Sequence, residues 1–156
     1  IFDEFKGDFK DSDRTFSHGH TFTGNPLASA AACAALKLFT EKNIPQSLDK
    51  IINLFNIGIS RFNKFDIVGD VRSLGMIGAI ELVKDRSSKE RLPANLRFAH
   101  KVANKALQHG LLIRPLGDII YFMPSFIITE EQIEEMFFLT ETALKETIDE
   151  NISDLR

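Results

Sequence analysis

The stretch FSHGHTFTGNPLASAAACAAL, Phe16 to Leu36, concentrates the residue types that could do chemistry near the start of the chain. His18 and His20 are one residue apart, so on a strand they would share a face. Two histidines do not complete a zinc site, which takes three or four ligands. Cys33 lies inside the alanine run, where a thiol packs as a small apolar group. No GxSxG elbow accompanies the histidines, and Cys33 has no cationic neighbours in sequence to activate it. Asp11 and Asp13 form a further acidic pair, read as a solvated loop because no third ligand follows at a metal-binding spacing. A third chemistry fits better. The polar loop GHTFTGN runs straight into a strong helix start, where amides, a threonine hydroxyl and the helix dipole can face an anion such as phosphate. A plain capped helix behind a loop would show the same residues, and the two readings stand side by side.

Two arginines sit in patterned settings. Arg114, in LIRPLG, lies at the end of an apolar run and before a Pro/Gly turn. Read from its own residues, a guanidinium there ends a strand at a wet surface. Arg72, in DVRSLG, is read as structural, bonding carbonyls near a strand start.

The elements that must position these residues follow from the remaining pattern. The chain has 156 residues, 44% apolar with 14 Phe, enough to fill a core without metal or disulfide. A net charge of -3 spread along the chain excludes a basic nucleic-acid or headgroup surface. No apolar run reaches the ~18 residues of a membrane span, and no signal peptide is visible. The single cysteine fits a reducing, cytoplasmic setting. The first residue is Ile1 and the text opens inside an amphipathic phrase, so the chain is read as a piece of a longer protein.

Asn25-Pro26 reads as cap and first helical position, with the helix over Leu27–Phe39 ending at Asn43–Pro45. Ser47 is read as the cap of a second helix that buries Ile51, Phe55, Ile59 and Phe62. Met76–Leu82 reads as a strand, with Gly75 and Gly78 allowing close backbone approach. A third helix runs from about Asn95 to His109 with Phe98, Ala99, Val102, Ala103, Ala106 and Leu107 inward, and Gly110 stops it. LLIRP and DIIYFMP read as strands around a Leu116-Gly117-Asp118 turn. TEEQ, Thr129 to Gln132, is a capping box opening a last helix with Ile133, Met136, Phe137, Leu144 and Ile148 on or near one face. Together these predict an α+β fold: a small, mainly antiparallel sheet covered by helices on one side and preceded by a long helix.

HGHTFTGNPLASAAACAAL closely resembles the segment after the cofactor lysine in class III (subgroup II) pyridoxal-phosphate aminotransferases. GDVRSLGMIGAIELV resembles their small-domain strand pair. HGLLIRPLGDIIYFMPSFIITEEQIEEM resembles the C-terminal part of one branch, whose members transaminate 8-amino-7-oxononanoate in biotin biosynthesis. The resemblance runs from about Phe9 to Glu146. It implies the C-terminal portion of a fold-type-I enzyme, with residues 1–45 ending the large cofactor domain and 46–156 forming the small domain.

The resemblance further implies that Gly19, His20 and Thr21 reach across a homodimer to the phosphate of the partner's pyridoxal 5'-phosphate, with Gly19 also lining the substrate site. Thr21 would give its hydroxyl. Many members of the branch carry Pro where His20 stands, so the backbone at His20 matters more than its imidazole, and His18 shapes the loop. Arg114 would hold the substrate carboxylate. The partners implied are small molecules, with adenosylmethionine or lysine as amino donor, and neither nucleic acid nor membrane. The family's cofactor lysine and the aspartate facing the pyridine nitrogen lie upstream of the His-Gly-x-Thr loop. No lysine here sits in a comparable setting, so the chain is expected to hold no catalytic residue and to be inactive alone. Another class III aminotransferase, acting on ω-amino acids or acetylornithine, is the rival enzyme reading. A stand-alone dimerisation domain is the non-enzymatic one.

Overall fold

The computed structural model describes residues 2–5 and 19–151, so the expectations for Asp11, Asp13 and His18 fall outside the described residues. The chain divides into two compact units, Ile1–Asn43 and Ile44–Arg156.

The first unit carries helix α1, Pro26–Glu41. Asn25 caps it as its residue type requires: the Asn25 Oδ1 accepts from the Ala28 amide at 3.0 Å, and Pro26 stands at the first position, where no donor is missed. The helix ends through Lys42, and Asn43 adopts a left-handed φ of 47°. None of its residues is buried, and Leu27 and Leu36 are 82% and 68% exposed. Cys33 is exposed as well, which corrects the expectation of a packed thiol. The alanine-rich sequence supplies high helix propensity, and the Asn25 cap adds to it.

The second unit begins with a single turn, α2, Ile44–Ser47, which takes in Pro45 at its start. Ser47 does not cap the next helix, α3, Asp49–Ser60. Its hydroxyl instead donates back to the Ile44 carbonyl at 2.8 Å, the local bond that a serine makes when a helical turn precedes it. Phe55 and Ile59 are buried, as is Phe62 in the turn that follows, while Ile51 is half-buried.

The sheet is four-stranded and antiparallel, in the order β1-β2-β4-β3. Strand β1 is Val68–Leu74, β2 is Ile77–Leu82, β3 is Arg114–Leu116 and β4 is Ile119–Phe122. Gly75 and Gly117 turn the two hairpins with φ of 60° and 61°, conformations that an L side chain resists. Gly75 therefore serves the turn and nothing approaches it, whereas Gly78 is a true close approach. A Cβ on Gly78 would lie 2.5 Å from Ile59 Cδ1 and 2.8 Å from Phe55 Cε1. That contact seats α3 on the sheet.

Two helices complete the covering layer. A 3-10 turn at Ala94–Leu96 and a left-handed Arg97 (φ 45°) precede α4, Phe98–Gln108, so the α-helix starts three residues later than the periodicity suggests. Phe98, Ala99, Val102, Ala103 and Ala106 are buried; Leu107 is 57% exposed, just off the inward stripe. Helix α5, Glu130–Glu150, opens on a complete capping box between Thr129 and Gln132. Phe137 of α5 sits at the centre of the core, its ring 5.3 Å from Phe55, 5.2 Å from Phe122 and 6.2 Å from Phe62.

Strand alternation divides the sheet's residues between two faces. Ile80 pairs with Val71 on one side and Ile120 on the other, and this row packs into the core beneath the helices. The neighbouring row, Arg72–Ala79–Tyr121–Arg114, crosses all four strands on the opposite face.

Candidate functional site

The loop of the first unit is built by a turn at His20–Thr23. The Thr23 amide donates to the His20 carbonyl at 3.0 Å, and the His20 amide donates to Thr23 Oγ1 at 3.1 Å. Thr23 Oγ1 thus acts as the acceptor that closes the turn, in the manner of Ser/Thr turns generally. Gly24, at φ 76°, leads the chain into Asn25, whose own amide donates to the Phe22 carbonyl at 3.1 Å. Gly19, His20 and Thr21 therefore share one exposed turn. Among the described residues, the Thr21 hydroxyl and the amides of Thr21 and Phe22 have no partner. These donors, with the O–H of Thr23, are open to an anion. The helix itself offers less than the sequence suggests, because Asn25 occupies the Ala28 amide and Pro26 has none.

Arg114 belongs to the second unit and opens the edge strand β3. Its side chain is exposed and has no ion pair or hydrogen bond among the described residues. It lines a pocket of about 350 Å³ together with Leu112, Ile113, Tyr121, Met123 and Pro124. A charged guanidinium beside apolar walls is suited to an acid whose remainder is a hydrocarbon chain.

Arg72 is spoken for. It donates to the Asp70 carboxylate at 2.7 Å and to Glu81 at 2.8 Å, across the β1–β2 pair. It bonds carboxylates rather than carbonyls, because the register brings Asp70 and Glu81 opposite each other beside it. Glu81 first and Asp70 second raise its pKa above the ordinary arginine value. Among the described residues no group of three or more His, Cys, Asp and Glu could hold a metal ion, and no helix is long and apolar enough to cross a membrane.

The fold recurs in known proteins. Residues 6–144 match the family model for class-III aminotransferases, and the chain belongs to that family. The adenosylmethionine-8-amino-7-oxononanoate aminotransferase of Geobacter sulfurreducens is 41% identical over 134 residues, 86% of this chain and 29% of that protein. The crystal structure of the enzyme of the same name from Methanocaldococcus jannaschii superposes with a TM-score of 0.82 at 36% identity, covering 93% of this chain and 33% of the other. The PMP-bound form of an aminotransferase from Vibrio fluvialis gives a TM-score of 0.80 at 31% identity, covering 88% and 30%. The chain spans about a third of the length of the relatives it matches.

Proposed function

We propose that this chain is the C-terminal portion of a pyridoxal-phosphate-dependent aminotransferase that converts 8-amino-7-oxononanoate to 7,8-diaminononanoate in biotin biosynthesis. The observation that carries the reading is Arg114, an unpaired guanidinium at the mouth of an apolar pocket. The proposed substrate has the matching form, a carboxylate on a run of methylenes that ends in the reacting ketone.

The cofactor's phosphate fits the other site. The Thr21 hydroxyl and the two open amides supply neutral donors in one turn, and the α1 dipole adds to the attraction. In the reading proposed, Gly19, His20 and Thr21 present these donors to the partner subunit's cofactor in a homodimer, with Gly19 close enough to border the substrate. When bound, pyridoxal phosphate supplies the electron sink through which an amine gives up its nitrogen and a ketone receives it. Arg114 holds the acid end, so the ketone is delivered at a fixed distance. The pocket walls exclude water around the ion pair and strengthen it. The lysine that carries the cofactor lies, in this reading, in a portion of the protein preceding residue 19. The chain alone therefore binds and orients but does not react. A cytoplasmic setting belongs to the same reading, on the single cysteine. Adenosylmethionine is the amino donor, by the names of the relatives.

The test is a competition of substrates on the full-length holoenzyme. The expected result is a kcat/KM for 8-amino-7-oxononanoate well above those for ω-amino acids and acetylornithine. A preference for either of those would assign the protein to another activity of the same family. No transaminase activity on any of them would overturn the enzyme reading.

A further inference from the structure

Strand β3 is poorly equipped to hold Arg114 by itself. It has three residues, lies at the edge of the sheet against β4 alone, and its middle residue, Pro115, has no amide to give the ladder. The turn that follows is tied down from outside the hairpin. The Asp118 carbonyl accepts from the Leu82 amide at 2.9 Å. The Asp118 carboxylate accepts from Arg91 Nε at 3.3 Å and from Arg91 Nη2 at 3.1 Å, both on Oδ2. The Asp118 side chain is only 18% exposed, and Arg91 is its one cationic partner among the described residues. Arg91 in turn springs from anchored backbone. Just before it, the Glu90 carbonyl accepts from the Lys84 amide at 2.7 Å, and the Glu90 carboxylate accepts from the Lys84 ammonium at 2.9 Å. Just after it, Leu92 is buried in the core. A cation on fixed backbone therefore grips the far end of the hairpin that carries Arg114.

We infer that Arg91 is a positioning residue: by holding Asp118 it fixes the β3–β4 turn, and through the short edge strand it fixes the guanidinium of Arg114. The inference rests on the proposed role of Arg114 and deepens it by naming what keeps that group in place. Without Arg91 the mostly enclosed Asp118 carboxylate has no cation beside it, and it is better solvated by turning toward water. The turn shifts with it, because the carbonyl that bonds Leu82 belongs to the same residue. A guanidinium holds a carboxylate through directed hydrogen bonds that tolerate little misplacement. A displaced β3 therefore weakens binding of an acid more than binding of a neutral analogue. Arg91 itself touches neither substrate nor cofactor.

The test is the preference of the full-length holoenzyme for 8-amino-7-oxononanoate over its primary amide, taken as a ratio of kcat/KM values. The amide lacks the charge that Arg114 grips, so this ratio reports on Arg114, whereas a general loosening of the fold lowers both substrates together. Arg91→Ala is expected to lower the ratio roughly threefold, a modest loss because Arg91 is 83% exposed and water screens its ion pair. Asp118→Asn is expected to do the same, and the double variant to lose no more than either single one, because both act through one contact. Arg91→Lys is expected to stay near the parent, since both bonds fall on one oxygen and a single cation can replace them. An unchanged ratio in Arg91→Ala, equal losses on acid and amide, or losses that multiply in the double variant would each overturn the inference. Arg114→Ala separates this failure from failure of the underlying reading. If that variant lowers the ratio while Arg91→Ala does not, only the positioning role falls. If Arg114→Ala also leaves the ratio unchanged, the carboxylate binds elsewhere and both fall.

Discussion

Gly58 sets two familiar rules against each other, and the geometry decides between them. It lies near the end of α3, where replacing glycine with alanine ordinarily stabilises a helix by about 1 kcal/mol. A Cβ at Gly58, however, would lie 2.2 Å from Phe137 Cδ2 and 2.5 Å from Cε2, against an ordinary contact of 3.4–4 Å. The ring cannot retreat. Phe137 is 2% exposed and is enclosed by Phe55, Phe62 and Phe122. Overpacking a filled core costs about 1–3 kcal/mol, and an overlap of more than an ångström onto a trapped ring belongs at the upper end. Subtracting the propensity gain leaves Gly58→Ala destabilised by about 2 kcal/mol. Urea unfolding followed by far-ultraviolet circular dichroism measures this directly, and the midpoint is expected to fall. The cause is checked by a double-mutant cycle with Phe137→Leu, which removes the obstructing ring edge. In that background the added methyl is expected to cost much less, with a coupling of about 1 kcal/mol or more. If Gly58→Ala raises the midpoint, helix propensity has won and the account of α3 seated against the Phe137 ring is wrong.

Three further outcomes follow from particular contacts. Thr129→Ala breaks the capping box of α5, in which Thr129 Oγ1 accepts from the Gln132 amide at 3.2 Å, and is expected to lower stability by about 1 kcal/mol, while Thr129→Ser stays near the parent in the same urea titration. Glu134 is held below its ordinary pKa of 4.5 by hydrogen bonds from Arg61, at 2.7 and 2.5 Å. A depressed carboxylate stabilises the fold above its unfolded pKa and loses that contribution as pH falls through the folded value. Both side chains are more than a third exposed, so the contribution is under about 1 kcal/mol. The Glu134→Gln variant should trail the parent slightly at neutral pH and converge with it in acid below 4.5; a gap that persists once Glu134 is protonated would show that the ion pair is not its source. Thr21→Val in the full-length enzyme is expected to weaken cofactor retention roughly tenfold, with Thr21→Ser close to the parent, measured by equilibrium dialysis against the cofactor's visible absorbance; equal retention in all three would exclude a hydroxyl contact.

Much of the fold was legible because local chemistry and tertiary packing agree. Asn25-Pro26 and the Thr129–Gln132 box carry their reason in adjacent residues, and both stand as read. The misreadings fall where a residue type has two uses. Ser47 looks like a cap but ends a turn, because Pro45 starts that turn before it. Gly75 and Gly78 look alike in sequence, yet one serves a positive φ and the other a side-chain contact from a distant helix. In strand β1 a bulge between Val68 and Asp70 breaks the period of two. The loop's division of labour was also hidden. Thr21 and Thr23 are equivalent by type, and only the turn geometry shows that the Thr23 oxygen accepts the His20 amide while Thr21 makes no local bond.

The same logic of consumption picks out Arg114. Six arginines lie among the described residues, and four have partners. Arg61 pairs with Glu134, Arg72 with Asp70 and Glu81, Arg86 with the Asn63 carbonyl, and Arg91 with Asp118. Arg97 and Arg114 remain. Arg97 borders a polar hollow with Asn95, His100, Lys101 and Asn104, where water solvates its charge and competes with any carboxylate. Arg114 borders apolar walls, where a carboxylate meets less competition and a lower effective dielectric. A ligand that suits this setting carries both a negative charge and an apolar chain.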